Sequence, residues 1–199
     1  MSTPPTKPDL RNAMRTTLRA MPASHAATNS TALLARLATT PRISTPRQLL
    51  AFLPTAGEPE ITPFIAQRLQ SNLPTALPRA NWDTNTMEPV LVNNLSTDCE
   101  PTRYSILQPR ADLLPLAPAT LDVILVPGVA FDATGARLGR GGGFYDRFLA
   151  VAKAAHPGVV FAGICFDEQV VDFVPVDAHD VRVDMILTPT RTLIARAHN

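Results

Sequence analysis

The chain of 199 residues is 45% hydrophobic with a formal net charge of +1, which gives enough apolar material for a sizeable core and no overall field to draw it to nucleic acid or a membrane surface. No apolar run approaches the roughly 20 residues needed to span a bilayer, and no apolar segment near Met1 reads as a secretory leader. Cys99 and Cys165, without CxxC or framework spacing, read as buried thiols in a reducing compartment, with the cytoplasm as the default.

In chain order, Thr6-Lys7-Pro8-Asp9 reads as a helix start: Thr6 can cap, Pro8 is tolerated in the first turn, and Asp9 stands where a capping-box acid belongs. The Arg/Thr-rich, acid-poor N-terminus is reminiscent of a transit peptide, a reading set aside because Lys7 already belongs to the pattern described below. Leu10, Met14, Leu18 and Met21 continue the helix as a stripe at helical spacing, and a second helix is expected over Ser24 to Leu37. QLLAFLP (48–54), apolar and closed by proline, predicts a buried strand; ITPFIAQRLQ (61–70) predicts a helix and LVNN (91–94) a short strand. DVILVPG (122–128) is the clearest strand pattern in the chain. FYDRFLAVAKAA (144–155) predicts a helix, VVFAGICF (159–166) another buried strand, and VDMILT (183–188) the last. Twenty prolines are scattered among these elements and punctuate them without forming a linker. Apolar strands alternating with helices imply an α/β fold with a largely parallel sheet.

Five of the chain's nine glycines fall in GARLGRGGG (135–143), with Arg137 and Arg140 among them and Asp146 just beyond. The segment follows a strand and opens a helix, where free backbone N–H groups and the helix dipole favour an anion. Glycines let backbone close around phosphate oxygens without Cβ clashes, and guanidinium is the usual bidentate phosphate partner. There is no GK[ST], so this is not a Walker loop, and Phe144 stands where a Rossmann fingerprint needs its third glycine. Asp146 serves either the helix dipole alone or, beside bound phosphates, Mg²⁺. Lys7, Arg11, Arg15 and Arg19 recur every fourth residue and share one helix face, for which solvation is the default.

The longer stretch LVPGVAFDATGARLGRGGGFYDR (125–147) resembles the signature of the 5-formyltetrahydrofolate cyclo-ligase family: a strand, Pro-Gly, an aromatic plus Asp, then G-x-R-L-G-x-G-x-G-Y-Y-D. KPDLR (7–11), FLPTAGEPE (52–60), LPRANWDTNTM (77–87), YSILQP (104–109) and FDEQVVDFVPVDAHDVRVDMILT (166–188) are similar to further family segments. The resemblance implies a single domain over residues 1–199, built as a Rossmann-like three-layer sandwich. It implies an ATP- and Mg²⁺-dependent conversion of 5-formyltetrahydrofolate, including its polyglutamates, to 5,10-methenyltetrahydrofolate. Transfer of the γ-phosphoryl group to the formyl oxygen would activate the carbon for attack by nitrogen-10, so the protein mainly aligns two substrates and stabilises charge. A monomer without nucleic-acid or membrane partners is expected.

Carried over by residue, the resemblance implies that Lys7, Arg11, Arg137, Gly139, Arg140, Gly141, Gly142, Gly143, Phe144 and Tyr145 contact ATP. The loop from Arg140 to Phe144 would also face the folate, with Leu53 and Glu58 on the pterin side. Arg140 and Tyr145 would lie at the reacting centre, and Asp146 and Asp180 would be the Mg²⁺ carboxylates. Arg15 and Arg19 keep the solvated reading, His179 is read as structural or as a neighbour of the metal site, and His25, His156 and His198 as ordinary surface or packing residues. Phe52 and Phe144 stand where the family usually has tyrosine, and the segment between Asn81 and Glu100 matches poorly. Two other readings have their own marks. A related ATP-dependent enzyme acting on another amide or carboxylate would not need Glu58 in its context. A non-catalytic relative binding folate or RNA would carry a degraded loop, and this loop is intact.

Overall fold

The capping pair forms as its spacing predicts. Thr6 Oγ1 accepts from the Asp9 N–H and the Asp9 carboxylate reaches back to the Thr6 N–H, starting α1 (Lys7–Ala20) in the computed structural model, which describes residues 5–103 and 106–195. Tyr104 and His198 lie outside the described residues. Of the predicted stripe, Leu10 and Met14 are buried against Ala130, Ala136 and Leu138, while Leu18 and Met21 are half-buried.

The chain continues through α2 (Ala23–Thr39), α3 (Pro41–Ser44), β1 (Leu49–Leu50), α4 (Thr62–Gln70), β2 (Thr75–Asn81), β3 (Thr86–Val92), α5 (Leu95–Asp98), β4 (Cys99–Pro101) and β5 (Leu107–Pro109). Its second half holds β6 (Val123–Pro127), β7 (Ala130–Phe131), β8 (Arg137–Leu138), α6 (Phe144–Ala155), β9 (Val160–Ile164), β10 (Met185–Leu187) and β11 (Thr192–Ile194). A seven-stranded sheet runs in the order β11-β10-β9-β6-β1-β2-β3. The strands from β10 to β2 pair in parallel, and β11 and β3 close the two edges antiparallel.

Alternation along β6 shows why the sheet needs two helical layers. Val123 and Leu125 pack with Leu33, Leu37, Ile61 and Ile65 of the α2/α4 side, while Ile124 and Val126 pack with Phe148, Leu149 and Ala152 of α6. The expected largely parallel, three-layer α/β architecture is therefore the observed one. The chain leaves β1 in one direction to β2 and β3, then returns to the other side of β1 as β6. The carboxyl ends of β1 and β6 thus flank a topological switch point, where open α/β sheets bind ligands.

Three details differ from the sequence expectation. The strand at 48–54 pairs only over Leu49–Leu50, although Ala51 and Phe52 stay buried beyond it. The segment around LVNN is the end of a full hairpin, β2–β3, whose prolines conceal it: Pro78 and Pro89 sit opposite each other. They are tolerated because β2 pairs with β1 only at Thr75 and Ala76 and β3 is an edge, so neither proline removes a needed donor. Finally, the glycine loop does not follow β6 directly; the small hairpin β7–β8 intervenes. Its turn is held by the buried Asp132, which accepts from the Thr134 and Ala136 N–H groups and, across the chain, from the Val174 N–H.

Phe131 is fully buried, and a Cβ on Gly163 of β9 would lie 2.6 Å from its ring. With no room for the ring to retreat, Gly163→Ala is expected to lower the unfolding free energy by about 1–3 kcal/mol. The measurement is a urea titration, in which the midpoint falls while the slope is unchanged.

Candidate active site

At the switch point lies a cleft of about 1100 Å³. One wall is apolar, from Phe52, Leu53, Leu77, Pro78, Met87 and Leu107; the other is the glycine loop with the basic end of α1. The cleft's position follows from α1 docking on the β7–β8 hairpin, which carries Lys7 and Arg11 to the loop. Arg15 and Arg19, one and two turns further, remain exposed as expected.

Within the loop, Gly141 has φ 108° and Gly143, the N-cap of α6, has φ 68°, both in the region open to glycine. Two arginines hold the loop's carbonyls: Arg11 Nε donates to the Gly139 oxygen at 2.9 Å and Arg147 Nη2 to the Gly142 oxygen at 2.6 Å. Amides in the first turn of α6 have no intrahelical acceptor, which leaves them for a ligand. The arrangement is anion-receptive.

Each remaining cation of the predicted set has a carboxylate partner. Arg137, with a side chain only 4% exposed, donates through Nη2 to Asp146 Oδ1 at 2.7 Å and lies 5.7 Å from the centroid of the Tyr145 ring. Arg140 reaches across the cleft to Glu58 Oε1 at 3.1 Å and to Thr55 Oγ1 at 2.6 Å. Glu58 is itself held by the Thr55 N–H at 2.8 Å, so a charged carboxylate is fixed on the apolar side. Lys7 Nζ is shared between Asp177, at 2.7 Å, and Asp180. Burial works against the Lys7 charge, but hydrogen bonds and attraction from Asp177 and Asp180 outweigh it and hold its pKa above the ordinary lysine value. Asp180 is likewise pushed up by burial, yet the Lys7 ammonium and the Asp177 N–H bring it below the usual carboxylate value.

The two predicted metal carboxylates converge on this cleft. Asp146 Oδ1 also accepts from the Val181 N–H at 3.3 Å, the residue after Asp180. Asp177, His179 and Asp180 offer ligand atoms within 4.8 Å of one another. The Tyr145 hydroxyl is buried and has no partner among the described residues. Burial, reinforced by the Glu58 charge and only partly offset by Arg137, pushes this phenol far above its ordinary value, so it remains a hydrogen-bond donor.

Every residue predicted from sequence for the site lines this cleft. Sequence reasoning missed Thr55, Asp177, Trp82 and Arg147. Trp82, edge-on to Phe144 at 5.1 Å and 69°, is the chain's single tryptophan, a signal that could have found it. Thr55, Asp177 and Arg147 carry no mark in sequence, because their roles arise from contacts across the chain. His25 pairs with Glu168 and His156 with the Leu121 carbonyl, both away from the cleft.

Fold and cleft together define an α/β protein with an anion-receptive glycine loop facing an apolar wall at the carboxyl edge of its sheet. The sequence profile of the 5-formyltetrahydrofolate cyclo-ligase family matches residues 4–189, and the chain belongs to that family of enzymes. It is 31% identical over 187 residues to a Mus musculus 5-formyltetrahydrofolate cyclo-ligase, covering 91% of this chain and 92% of that one. It is 46% identical over 74 residues to the Mycolicibacterium smegmatis 5-formyltetrahydrofolate cyclo-ligase, a stretch that spans 37% of each chain. The solved structure of Aquifex aeolicus 5,10-methenyltetrahydrofolate synthetase superposes with a TM-score of 0.83 at 26% identity, covering 97% of this chain and 94% of that one. Among the described residues no helix is long and apolar enough to cross a membrane.

The Asp180 contribution to stability is present above the ordinary carboxylate pKa and is lost as pH falls through its lower folded value. Urea titrations of wild type and Asp180→Asn are therefore expected to differ most near neutral pH and to converge below about pH 4.

Proposed function

We propose that this chain, acting as one domain over residues 1–199, catalyses the ATP- and Mg²⁺-dependent cyclisation of 5-formyltetrahydrofolate to 5,10-methenyltetrahydrofolate, with ADP and phosphate as products. The observation that carries the reading is the two-walled cleft: a cation-rich glycine loop on one side and an apolar wall bearing the fixed Glu58 on the other. The substrates include polyglutamylated folates, and the enzyme works as a monomer in the cytoplasm without nucleic-acid or membrane partners.

In this reading the first-turn amides of α6, with Lys7, Arg11 and Arg140, receive the phosphates of ATP. Leu53, Phe52 and the hairpin wall cover the apolar face of the pterin, while Glu58 accepts from its ring N–H and amino groups. Asp146 and Asp180 fit Mg²⁺ by donor type, since this ion takes one or two carboxylates together with phosphate oxygens, and Asp177 stands ready beside them. When bound, the ion neutralises phosphate charge. Lys7 would leave Asp180 for the phosphates, and Arg137, freed from Asp146, would still be held by its packing under Tyr145.

The chemistry asks the protein for alignment and charge stabilisation. The formyl oxygen attacks the γ-phosphorus and the bond to ADP breaks. Nitrogen-10 then attacks the former formyl carbon, the carbon–oxygen bond breaks, phosphate departs, and the nitrogen-10 proton passes to solvent. Arg140 bridges the two walls and so faces the moving phosphoryl group. Tyr145, a buried donor with no partner among the described residues, supplies a hydrogen bond to oxygen at the reacting centre.

Formation of methenyltetrahydrofolate, followed by its absorbance, is expected to need both ATP and Mg²⁺. Asp146→Ala should reduce turnover by about 10²–10³-fold, the scale seen for loss of one preorganised electrostatic group. Tyr145→Phe should reduce it by about tenfold, the value of a single net hydrogen bond. A flat trace from folded wild-type protein that binds ATP would reject the folate assignment and keep the phosphate site.

A further inference from the structure

Arg147 stands one turn into α6 and is exposed, yet its guanidinium is occupied. Nη2 donates to the Gly142 carbonyl at 2.6 Å, in the glycine loop, and Nε to the Asn85 carbonyl at 2.9 Å, at the tip of the β2–β3 hairpin. Among the described residues it has no carboxylate partner, unlike Lys7, Arg137 and Arg140. Its Nη1 lies 3.0 Å from where a Cβ on Gly143 would be, so the loop's left-handed glycine also leaves room for this side chain. The hairpin needs such a tie. β2 is anchored to β1 only at Thr75 and Ala76, and Gln108 braces its far end through the Ala80 N–H. Beyond Asn81 the turn holds itself, with Asn81 Oδ1 accepting from the Asp83 and Thr84 N–H groups, and Asn85 takes φ 52°. Alongside the packing of Met87 against the α6 side of the core, this tip meets the glycine loop and the start of α6 through Arg147 and the edge contact of Trp82 on Phe144.

We infer that Arg147 is a positioning residue for the cyclo-ligase reaction: one guanidinium clamps the Gly142 and Asn85 carbonyls and sets the glycine loop in fixed register with the Trp82-bearing hairpin tip. This rests on the reading that the loop receives phosphate and the hairpin wall the folate. Two consequences follow from this clamp, the first through peptide planarity. Holding the Gly142 carbonyl toward Arg147 turns the Gly143 N–H the opposite way, across a trans peptide. Arg11 does the same to the next peptide bond after Gly139, so the loop's amides are preset before a ligand arrives. The second consequence is alignment: the wall for one substrate is indexed to the loop for the other, and a displacement of about 1 Å between reacting groups is enough to lose about a hundredfold in rate. Lysine cannot replace this arginine, because a point charge lacks the planar fork that engages two carbonyls at once.

The test pairs steady-state kinetics, varying ATP and 5-formyltetrahydrofolate separately, with acrylamide quenching of Trp82 in the ligand-free protein. For Arg147→Met, kcat should fall about ten- to hundredfold. Its Trp82 quenching should rise by about twofold as the hairpin tip leaves Phe144, with the thermal midpoint little changed, and Arg147→Lys should stay within about threefold of the methionine variant. Recovery of wild-type kcat by Arg147→Lys would overturn the inference, as would unchanged kcat, unchanged quenching, or a rise in KM for ATP alone. If Arg147→Met does not fold, Arg147→Gln and Arg147→Lys carry the same comparison. Quenching needs no nucleotide, so it separates the two readings. Increased quenching in Arg147→Met beside a wild type that never turns over ATP would reject the ATP reading and uphold the clamp.

Discussion

The cleft depends on one buried guanidinium. Arg137 enters from β8, donates to Asp146 in the first turn of α6, and stacks near the Tyr145 ring, so it ties together the two ends of the glycine loop. A cation with a 4% exposed side chain is tolerable because a carboxylate 2.7 Å away and the Pro127 carbonyl take up its Nη donors, leaving Nε without a partner among the described residues. The glycines between these ends have little conformational preference of their own; the ion pair closes them into a loop of defined shape. The β7–β8 hairpin, fastened by Asp132, sets where Arg137 begins, and the packing of α6 on the sheet sets where Asp146 waits.

The same pairing of cation and carboxylate recurs across the cleft in Lys7 with Asp177 and Asp180 and in Arg140 with Glu58. Such pairs offset much of the charge in a highly charged site, because each paired group is solvated by its partner. On the function proposed above, an arriving phosphate would compete for Lys7 and Arg140 and release their carboxylates, so that binding the anion and exposing acidic oxygens for a divalent cation would be one event. Arg147, like Arg11, differs, since among the described residues its donors meet only carbonyls, and its role is correspondingly geometric.

Much of the fold was legible because long apolar runs leave few choices. VILV of β6 is buried on both faces and could only be an interior strand. The Thr6–Asp9 cap announces α1 from Thr6, four residues before its first buried side chain. The β2–β3 hairpin was not legible, since Pro78 and Pro89 argue against strands unless one knows they face each other at a sheet edge. The insertion of β7–β8 before the loop was hidden as well, because two-residue strands carry no periodicity. Of the site, glycine-loop residues, Asp146 and Asp180 could be picked from spacing and family resemblance. Lys7, Arg137, Arg140 and Glu58 could be picked the same way, but their pairing could not: Lys7 and Asp180 are 173 positions apart, and Arg140 and Glu58 are brought together across the cleft.

By itself, the sequence determined what is local: the helix start at Thr6, the alternation that buries β6 on two faces, the glycines that permit positive φ, and the supply of cations for an anion. These follow from bond geometry and side-chain chemistry within a few residues. Tertiary structure alone decided which carboxylate each cation meets, where the strand order reverses to open the cleft, and that a hairpin tip leans on the glycine loop through Arg147 and Trp82. Those outcomes depend on how separate layers pack, a long-range property in which each contact is fixed by the burial of residues far away in the chain.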